Sequence, residues 1–197
     1  GDGADPAAVA AAGAVEAGRE GTDAGVGGAA PSGSSGEKEA SGPAGVSDIS
    51  RTIRALDAPV FMQGEVVHGF GRGSKMLGIP TANLPDEVVK REASDVKAGV
   101  YFGWACVGSS DTAYKAVMSV GWNPHFKNTK KTVEPHLLHE FDGDFYGEEL
   151  RLLICGHLRD EMAFTSLESL LEAIHEDIRV ARNALDTEEF SGLASDR

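Results

Sequence analysis

Short runs in which apolar and polar residues alternate make up most of the chain after residue 60. They predict five strands, over residues 60–68, 99–107, 113–122, 133–141 and 150–158. Turn residues such as Asn123-Pro124 and Asp142-Gly143 separate these runs. Parallel strands need a helical crossover, and no helical pattern lies between consecutive runs. The pattern therefore predicts an antiparallel sheet that closes on itself.

One amphipathic helix follows the strands. Apolar residues recur at helical spacing from Leu167 to Leu185, and this stripe predicts a helix that packs on the sheet. Thr165 is its predicted N-cap, with Glu168 as the third helical residue of a capping box. The acidic residues between the apolar positions are predicted to face solvent; these are Glu168, Glu172, Glu176 and Asp177.

Composition divides the chain near residue 57. Half of the first 50 residues are Ala or Gly, and Leu, Met, Phe, Tyr and Trp do not occur among them. Such a segment buries too little apolar area to offset about 1–2 kcal/mol of backbone entropy per residue. We therefore expect a disordered tail over 1–57, a folded domain over 58–190 and a disordered end over 191–197.

The net charge of −13 limits the partners of the chain. A chain so acidic, with no block of Lys or Arg, is repelled by phosphate backbones, so we expect no nucleic-acid partner. The absence of an apolar run of about 18 residues predicts no membrane span. Cys106 and Cys155 lie inside predicted strands and are expected to be core residues. We expect a monomer in the cytoplasm, with an organelle as the alternative.

A glycine-rich stretch, His68–Lys75, follows the first strand. Its glycines at 69, 71 and 73 let the backbone turn tightly and direct N–H groups toward a phosphate, and Lys75 adds a cation. The stretch has neither the spacing of a Walker A motif nor that of a dinucleotide-binding fingerprint. A phosphate loop and a flexible turn both remain open.

The next motif, Gly78–Asn83, contains two polar side chains two residues apart. Thr81 and Asn83 are expected to point the same way on an extended segment, because Pro80 favours extended backbone before it. Both offer neutral oxygens, and Mg²⁺ often takes only one or two protein ligands beside waters and phosphates. A metal site and a capped turn are both compatible with this spacing.

Five collinear motifs identify a family resemblance. They are GFGRGSKMLGIPTANLP, GVYFGWA, SVGWNPHFKNTKKTVEPHLLHEF, DFYGEELRLLICGHLR and SLESLLEAIHEDI. Over roughly residues 60–185 the chain resembles the eukaryotic riboflavin kinases, or flavokinases. The resemblance implies a closed, Greek-key-like antiparallel barrel of six strands with a C-terminal helix. It also implies transfer of the ATP γ-phosphate to the 5′-hydroxyl of riboflavin, with FMN and ADP as products.

The same resemblance assigns roles to individual residues. Glu134 corresponds to the catalytic carboxylate. Thr81 and Asn83 would meet Mg²⁺, for which Zn²⁺ or Mn²⁺ could substitute. Arg159 and Phe164 would lie beside the flavin. The remaining assignments are ATP contacts, at Gly69, Gly71, Gly73, Ser74, Lys75, Thr81 and Tyr146.

Other readings of these residues stay open. Without the resemblance, Glu134 reads as a surface strand residue paired with Lys130 or Lys131. The whole domain could also be an inactive flavin- or nucleotide-binding barrel within a longer protein. A zinc site at Glu134, His136 and His139 is disfavoured, because the spacing of zinc motifs is absent. A basic rim is expected near the nucleotide, formed by Arg72, Lys75, Lys127, Lys130 and Lys131.

Overall fold

The computed structural model describes residues 49–69, 78–122 and 130–195. The tail predicted over 1–57 therefore lies outside the described residues up to residue 48. The same holds for Gly71, Gly73, Ser74 and Lys75 of the glycine-rich stretch and for Arg72 and Lys127 of the predicted rim.

The described residues form one five-stranded antiparallel sheet with helices beside it. The strands are β1 (Arg54–Glu65), β2 (Gly99–Val107), β3 (Tyr114–Trp122), β4 (Lys131–Leu137) and β5 (Glu149–Arg159). The helices are α1 (Asp86–Glu92), α2 (Leu167–Ala184) and α3 (Glu188–Ser191), and a 3₁₀ turn spans Gly192–Ser195. The strand order is β1-β5-β2-β3-β4. Every pairing is antiparallel, as predicted.

The closed barrel of six strands is not confirmed, because within residues 49–69, 78–122 and 130–195 the sheet has five strands and no ladder joins β1 to β4. Instead, the short segment around Ala82 lies between the two edges. The Val67 N–H donates to the Asn83 carbonyl at 3.0 Å, and the Ala82 N–H donates to the Pro135 carbonyl at 2.8 Å. Pro80 has no N–H, so this segment cannot extend into a regular sixth strand at that position.

The sheet separates two apolar clusters. The inner cluster includes Tyr101 and Ala105 of β2, and the outer cluster includes Phe102 and Trp104 of the same strand. The alternation predicted for β2 is therefore confirmed. The alternation of residues 150–158 predicts Leu158 on the same face as Leu150, Leu152 and Ile154, but Leu158 packs in the outer cluster. Register shifts between β2 and β5 explain this change of face.

Helix α2 begins one residue later than predicted. Its N-cap is Ser166, whose hydroxyl accepts from the Ser169 N–H, and the Ser169 hydroxyl accepts in turn from the Ser166 N–H. The predicted capping pair of Thr165 and Glu168 is therefore wrong. The prediction of a solvent-facing Asp177 is also wrong, because this side chain is 2% exposed among charged partners from outside the helix.

Helix α1 was not predicted, because its sequence is mostly charged and only Val88 and Val89 are buried. Its end is held by Lys131, whose ammonium donates to the carbonyls of Ser94 at 2.7 Å and Ala93 at 3.2 Å. Cations are favourable at a helix C-terminus, where carbonyls lack partners within the helix. A contact from β4 thus stabilises a helix that local sequence only weakly favours.

The predicted domain limits differ slightly from the elements. Strand β1 begins at Arg54, within the segment expected to be tail, because pairing with β5 begins there. The 3₁₀ turn at 192–195 lies within the segment expected to be a disordered end.

The two cysteines are buried and are not joined in a disulfide, so the prediction of core thiols is confirmed. Burial raises the pKa of Cys155 to about 11, which keeps this thiol protonated at neutral pH. None of the helices in the described ranges has the length and apolarity needed to cross a lipid bilayer.

Candidate active site

The segment from Gly78 to Leu84 places two polar side chains on one side of an extended backbone. Gly78 has a φ of 73°, which favours glycine, and it turns the chain into the segment. Ala82 and Leu84 are buried in the inner cluster, whereas the alternate residues Thr81 and Asn83 are half-buried. The expectation that Thr81 and Asn83 share a side therefore agrees with the burial pattern.

This segment lies directly against β4. The hydrogen bond from Ala82 ends on the carbonyl of Pro135, the residue after Glu134. On β4, Val133 and Leu137 belong to the inner cluster, so Glu134 and His136 face the other side of the strand. The structure therefore brings Glu134 beside the segment that carries Thr81.

His136 makes a second connection between the two elements. Its Nδ1 lies 2.8 Å from the carbonyl oxygen of Pro80, which can only accept, so Nδ1 carries the hydrogen. Burial lowers the pKa of His136, although the hydrogen bond to Pro80 partly opposes the shift; Arg182 adds a smaller decrease. At neutral pH the ring is therefore a neutral donor.

Gly69 packs on the side chain of Asn83. A Cβ at position 69 would lie 2.4 Å from Asn83 Nδ2 and 2.8 Å from its Cγ, closer than real atoms approach. A residue with a side chain at position 69 would therefore displace the Asn83 amide. The start of the glycine-rich stretch therefore packs directly against the Asn83 side chain.

An aromatic stack borders the same region. The rings of His68 and Tyr146 are 3.8 Å apart at 25°, and Tyr146 is 44% exposed. A small pocket adjoins this corner, and its wall includes Gly69, Asn83 and Thr132. Tyr146, which the resemblance assigns to the nucleotide, therefore lies next to the glycine-rich stretch.

The residues of the predicted basic rim that are described contact helix α1. The Lys130 ammonium lies 2.5 Å from the Asp86 carboxylate at the start of that helix, and Lys131 binds carbonyls at its end. Lys131 also lies over the Trp122 ring, 5.2 Å from its centre. These lysines contribute to local structure, so the rim as a nucleotide-binding feature stays a prediction.

The two predicted flavin contacts lie together, at the end of β5 and just before α2. Arg159 is buried, and its Nε donates to the two oxygens of Asp177 at 2.9 and 3.1 Å. Its guanidinium lies 5.8 Å from the ring centre of Phe164, which packs with Leu170 in a small apolar cluster. Arg51, before β1, also binds Asp177 at 2.7 Å. The flavin roles of Arg159 and Phe164 stay predictions.

A second carboxylate, at Glu161, was not singled out from the sequence. A Cβ at Gly121 would lie 2.2 Å from Glu161 Oε1, so this carboxylate packs on the backbone of β3. Gly121 is two residues from Ser119, which pairs with Glu134 across the strands. Burial raises the pKa of Glu161, and the nearby Arg159 partly offsets the shift. No sequence pattern connects a loop after β5 to a glycine in β3.

The side-chain oxygens of Thr81 and Asn83 fit a hard cation better than a soft one. Across residues 49–69, 78–122 and 130–195, no three His, Cys, Asp or Glu side chains form a cluster that could hold a metal. The Thr81 hydroxyl and the Asn83 amide oxygen are neutral ligands that suit Mg²⁺ when waters and phosphates complete its shell. The close approach of Gly69 to Asn83 leaves no space for another side chain between them.

Comparison with known proteins supplies the family. The family described as riboflavin kinase, or flavokinase, matches residues 56–185. Riboflavin kinase of Mus musculus is 54% identical over 138 residues, and that of Homo sapiens is 53% identical over 138 residues. Both alignments cover 70% of this chain and 88% of the relative.

A solved structure of a riboflavin kinase is also similar to this chain. The crystal structure of riboflavin kinase from Trypanosoma brucei aligns with a TM-score of 0.55 at 30% identity, covering 69% of this chain and 85% of that chain. The family match covers most of the chain and includes most of β1, all of β2 to β5 and the Pro80–Asn83 segment. The chain belongs to the riboflavin kinase family.

Proposed function

We propose that this protein transfers the γ-phosphoryl group of ATP to the 5′-hydroxyl of riboflavin, forming FMN and ADP. The observation that carries the proposal is the hydrogen bond from the Ala82 N–H to the Pro135 carbonyl. It supports the proposal because it joins the segment that contains Thr81 and Asn83 to the strand that contains Glu134. Family membership supplies the identity of the substrates.

The phosphate end of the site is proposed to form from Thr81, Asn83 and the glycine-rich stretch. Thr81 and Asn83 would hold Mg²⁺ with their neutral oxygens, and Mn²⁺ or Zn²⁺ are candidate substitutes. The bound cation supplies charge neutralisation for the phosphates. Gly69 lets the backbone approach the Asn83 amide, and the backbone N–H groups that follow, with Ser74 and Lys75, would bind phosphate oxygens.

The acceptor end is proposed to centre on Glu134. Its carboxylate would accept the proton of the riboflavin 5′-hydroxyl as the oxygen–phosphorus bond forms and the bond between the γ-phosphorus and the β,γ-bridging oxygen breaks. General base catalysis of this kind contributes about 10²–10⁴-fold. A carboxylate is sufficient because a loose transition state demands little charge on the attacking oxygen. The main task of the protein is alignment.

The remaining contacts extend the site to both ends. Tyr146, stacked on His68, is proposed to border the nucleotide. Arg159 and Phe164, which lie together near the start of α2, are proposed to border the flavin ring. Cytoplasmic location and a monomeric state stay predictions from the sequence.

A chromatographic assay tests the proposal. The full chain is incubated with riboflavin, ATP and Mg²⁺, and FMN is separated from riboflavin. We expect one FMN for each ADP, and we expect both to disappear when the divalent cation is chelated. Folded protein that yields no FMN would exclude the kinase function and favour the alternative of an inactive flavin- or nucleotide-binding barrel. The comparisons with known proteins give no support for that alternative.

A further inference from the structure

We propose that His136 is a positioning residue for phosphoryl transfer, because its ring fixes the Pro80–Asn83 segment against the strand that carries Glu134. The inference deepens the proposed function and rests on it. His136 touches no reacting atom in this account; it acts through the backbone of Pro80. Its contribution is the relative placement of the phosphate end and the acceptor end of the site.

The two halves of the Pro80–Asn83 segment are attached in different ways. The described backbone hydrogen bonds of the segment involve Ala82 and Asn83, in its C-terminal half. In the N-terminal half, Pro80 has no N–H to donate and follows the turn at Gly78. The carbonyl of Pro80 is bound by a side chain instead, at 2.8 Å from His136 Nδ1.

Two bonds to β4 hold the Pro80–Asn83 segment in one direction. The backbone bonds of Ala82 to Pro135 and of Val67 to Asn83 hold the C-terminal half of the segment, and of these two only the bond to Pro135 reaches β4. A second bond two residues away, at Pro80, fixes its direction along β4. Thr81 lies between the two attachment points, and both of them reach consecutive residues of β4, Pro135 and His136. Glu134 directly precedes Pro135 on that strand.

The His136 side chain is itself held in place by the sheet. His136 pairs with Val117 in the ladder between β3 and β4, so its backbone is held by the sheet. Its side chain is half-buried, and its Nδ1 is bonded to the ring carbon next to Cβ. A donor so close to the backbone has little freedom to move. Sites that must hold reacting groups to a fraction of an ångström need this kind of support.

Two substitutions of His136 distinguish the effect of its Nδ1 hydrogen-bond donor from the effect of losing the imidazole ring. Asparagine carries an N–H₂ on the same atom, Cγ, that carries Nδ1 in histidine, so His136→Asn keeps a donor near the Pro80 carbonyl. Glutamine carries its N–H₂ one atom further out, near the position of Nε2, so His136→Gln removes the donor from that place. His175→Gln, at an exposed position of α2, is the control.

The expected result is a difference between the two variants in turnover but not in flavin binding. We expect His136→Gln to lower kcat by about 10–100-fold, the scale of a misplaced reacting group. We expect His136→Asn to stay within about threefold of wild type by the same reasoning. The dissociation constant for riboflavin, measured by fluorescence quenching, should change in neither. Equal losses in both variants, or no loss in either, would overturn the proposal.

Amide hydrogen exchange provides a readout that does not need activity. The Ala82 N–H, bonded to Pro135, should exchange faster in His136→Gln than in wild type and His136→Asn. Unchanged protection in His136→Gln would contradict the two-point attachment even if the wild-type protein made no FMN. If His136→Gln does not fold, loss of kcat in a folded His136→Asn would count against the proposal. Wild type without FMN formation would exclude the proposed function itself.

Discussion

Two clusters of charged and polar side chains in this fold differ in how deeply they are buried. Beside α2, Asp177 is 2% exposed, and two arginines from outside the helix, Arg51 and Arg159, bind its oxygens. Where the Pro80–Asn83 segment lies against β4, Glu134 and Thr81 are half-buried instead, and their neighbours Asn83 and Val133 line a small pocket. The charges around Asp177 are buried and paired with one another. The polar atoms of Glu134 and Thr81 remain accessible to a ligand.

The difference indicates what each cluster contributes. A buried carboxylate with two guanidinium partners joins the segment before β1, the end of β5 and α2, so its loss should reduce stability. Half-buried polar groups at a sheet edge bury little apolar area, so their loss should reduce turnover with little effect on folding. Substitutions in the two clusters should therefore move two different observables.

The largest expected effect is on turnover. Glu134→Gln should lower kcat for FMN formation by about 10²–10⁴-fold, because the amide cannot accept the hydroxyl proton. Binding of Mg·ATP, measured by calorimetry, and the melting temperature should change little. Glu172→Gln, on an exposed position of α2, is the matched control. An unchanged kcat in Glu134→Gln would remove this residue from the mechanism.

The opposite profile is expected for Asp177→Ala. Removing the carboxylate leaves two buried guanidinium groups facing each other, which should cost about 3–5 kcal/mol in the free energy of unfolding. Urea denaturation followed by tryptophan fluorescence measures this loss, with Glu172→Ala as the control on the same helix. A change below about 1 kcal/mol, the usual scale for a surface pair, would show that the cluster is not a buried charge network.

An intermediate effect is expected for Gly69→Ala. The new methyl group would lie within 3 Å of the Asn83 amide, so that side chain must move away from its present position. We expect kcat/KM for Mg·ATP to fall about tenfold or more, as for other misplaced groups. Gly143→Ala is the matched control, because no atom lies within 4 Å of a Cβ at that position. Equal activities of the two variants would separate Gly69 from the phosphate end.

The smallest effect concerns pH and stability. Burial raises the folded-state pKa of Glu161 above its ordinary value of 4.5, so folding disfavours the charged form. The resulting cost is fully present above the folded-state pKa and disappears as pH falls toward 4.5. Glu161→Gln should therefore melt slightly higher than wild type at pH 7, and the difference should shrink as the pH is lowered. A lower melting temperature at pH 7 would contradict a buried, disfavoured charge.

The parts of the fold with a strong local pattern could be predicted from the sequence. The bounds of β2 agree with the prediction because its residues alternate between two buried faces. Helix α2 was predicted in position but not in its cap, since adjacent hydroxyls at Thr165 and Ser166 compete for one role. Helix α1 was missed because its support comes from Lys131, about forty residues away.

The candidate site also depends on contacts between residues far apart in sequence, which local patterns do not predict. Thr81, Asn83 and Glu134 could be named from motifs, but their meeting depends on a hydrogen bond between Ala82 and Pro135, 53 residues apart in sequence. Asp177 was placed in solvent because a helical period reports only which residues are apolar. It carries no information about Arg51, which binds this carboxylate from 126 residues away.

The most direct test of the account is a double-mutant cycle between the two ends of the proposed site. Thr81→Ala, Glu134→Gln and the double variant are compared by kcat/KM for FMN formation with Mg·ATP. If both residues act on one transition state, the double variant should be little slower than the slower single variant, because groups that act as a unit are not additive. Losses that multiply fully would contradict a single site formed by the Pro80–Asn83 segment and β4.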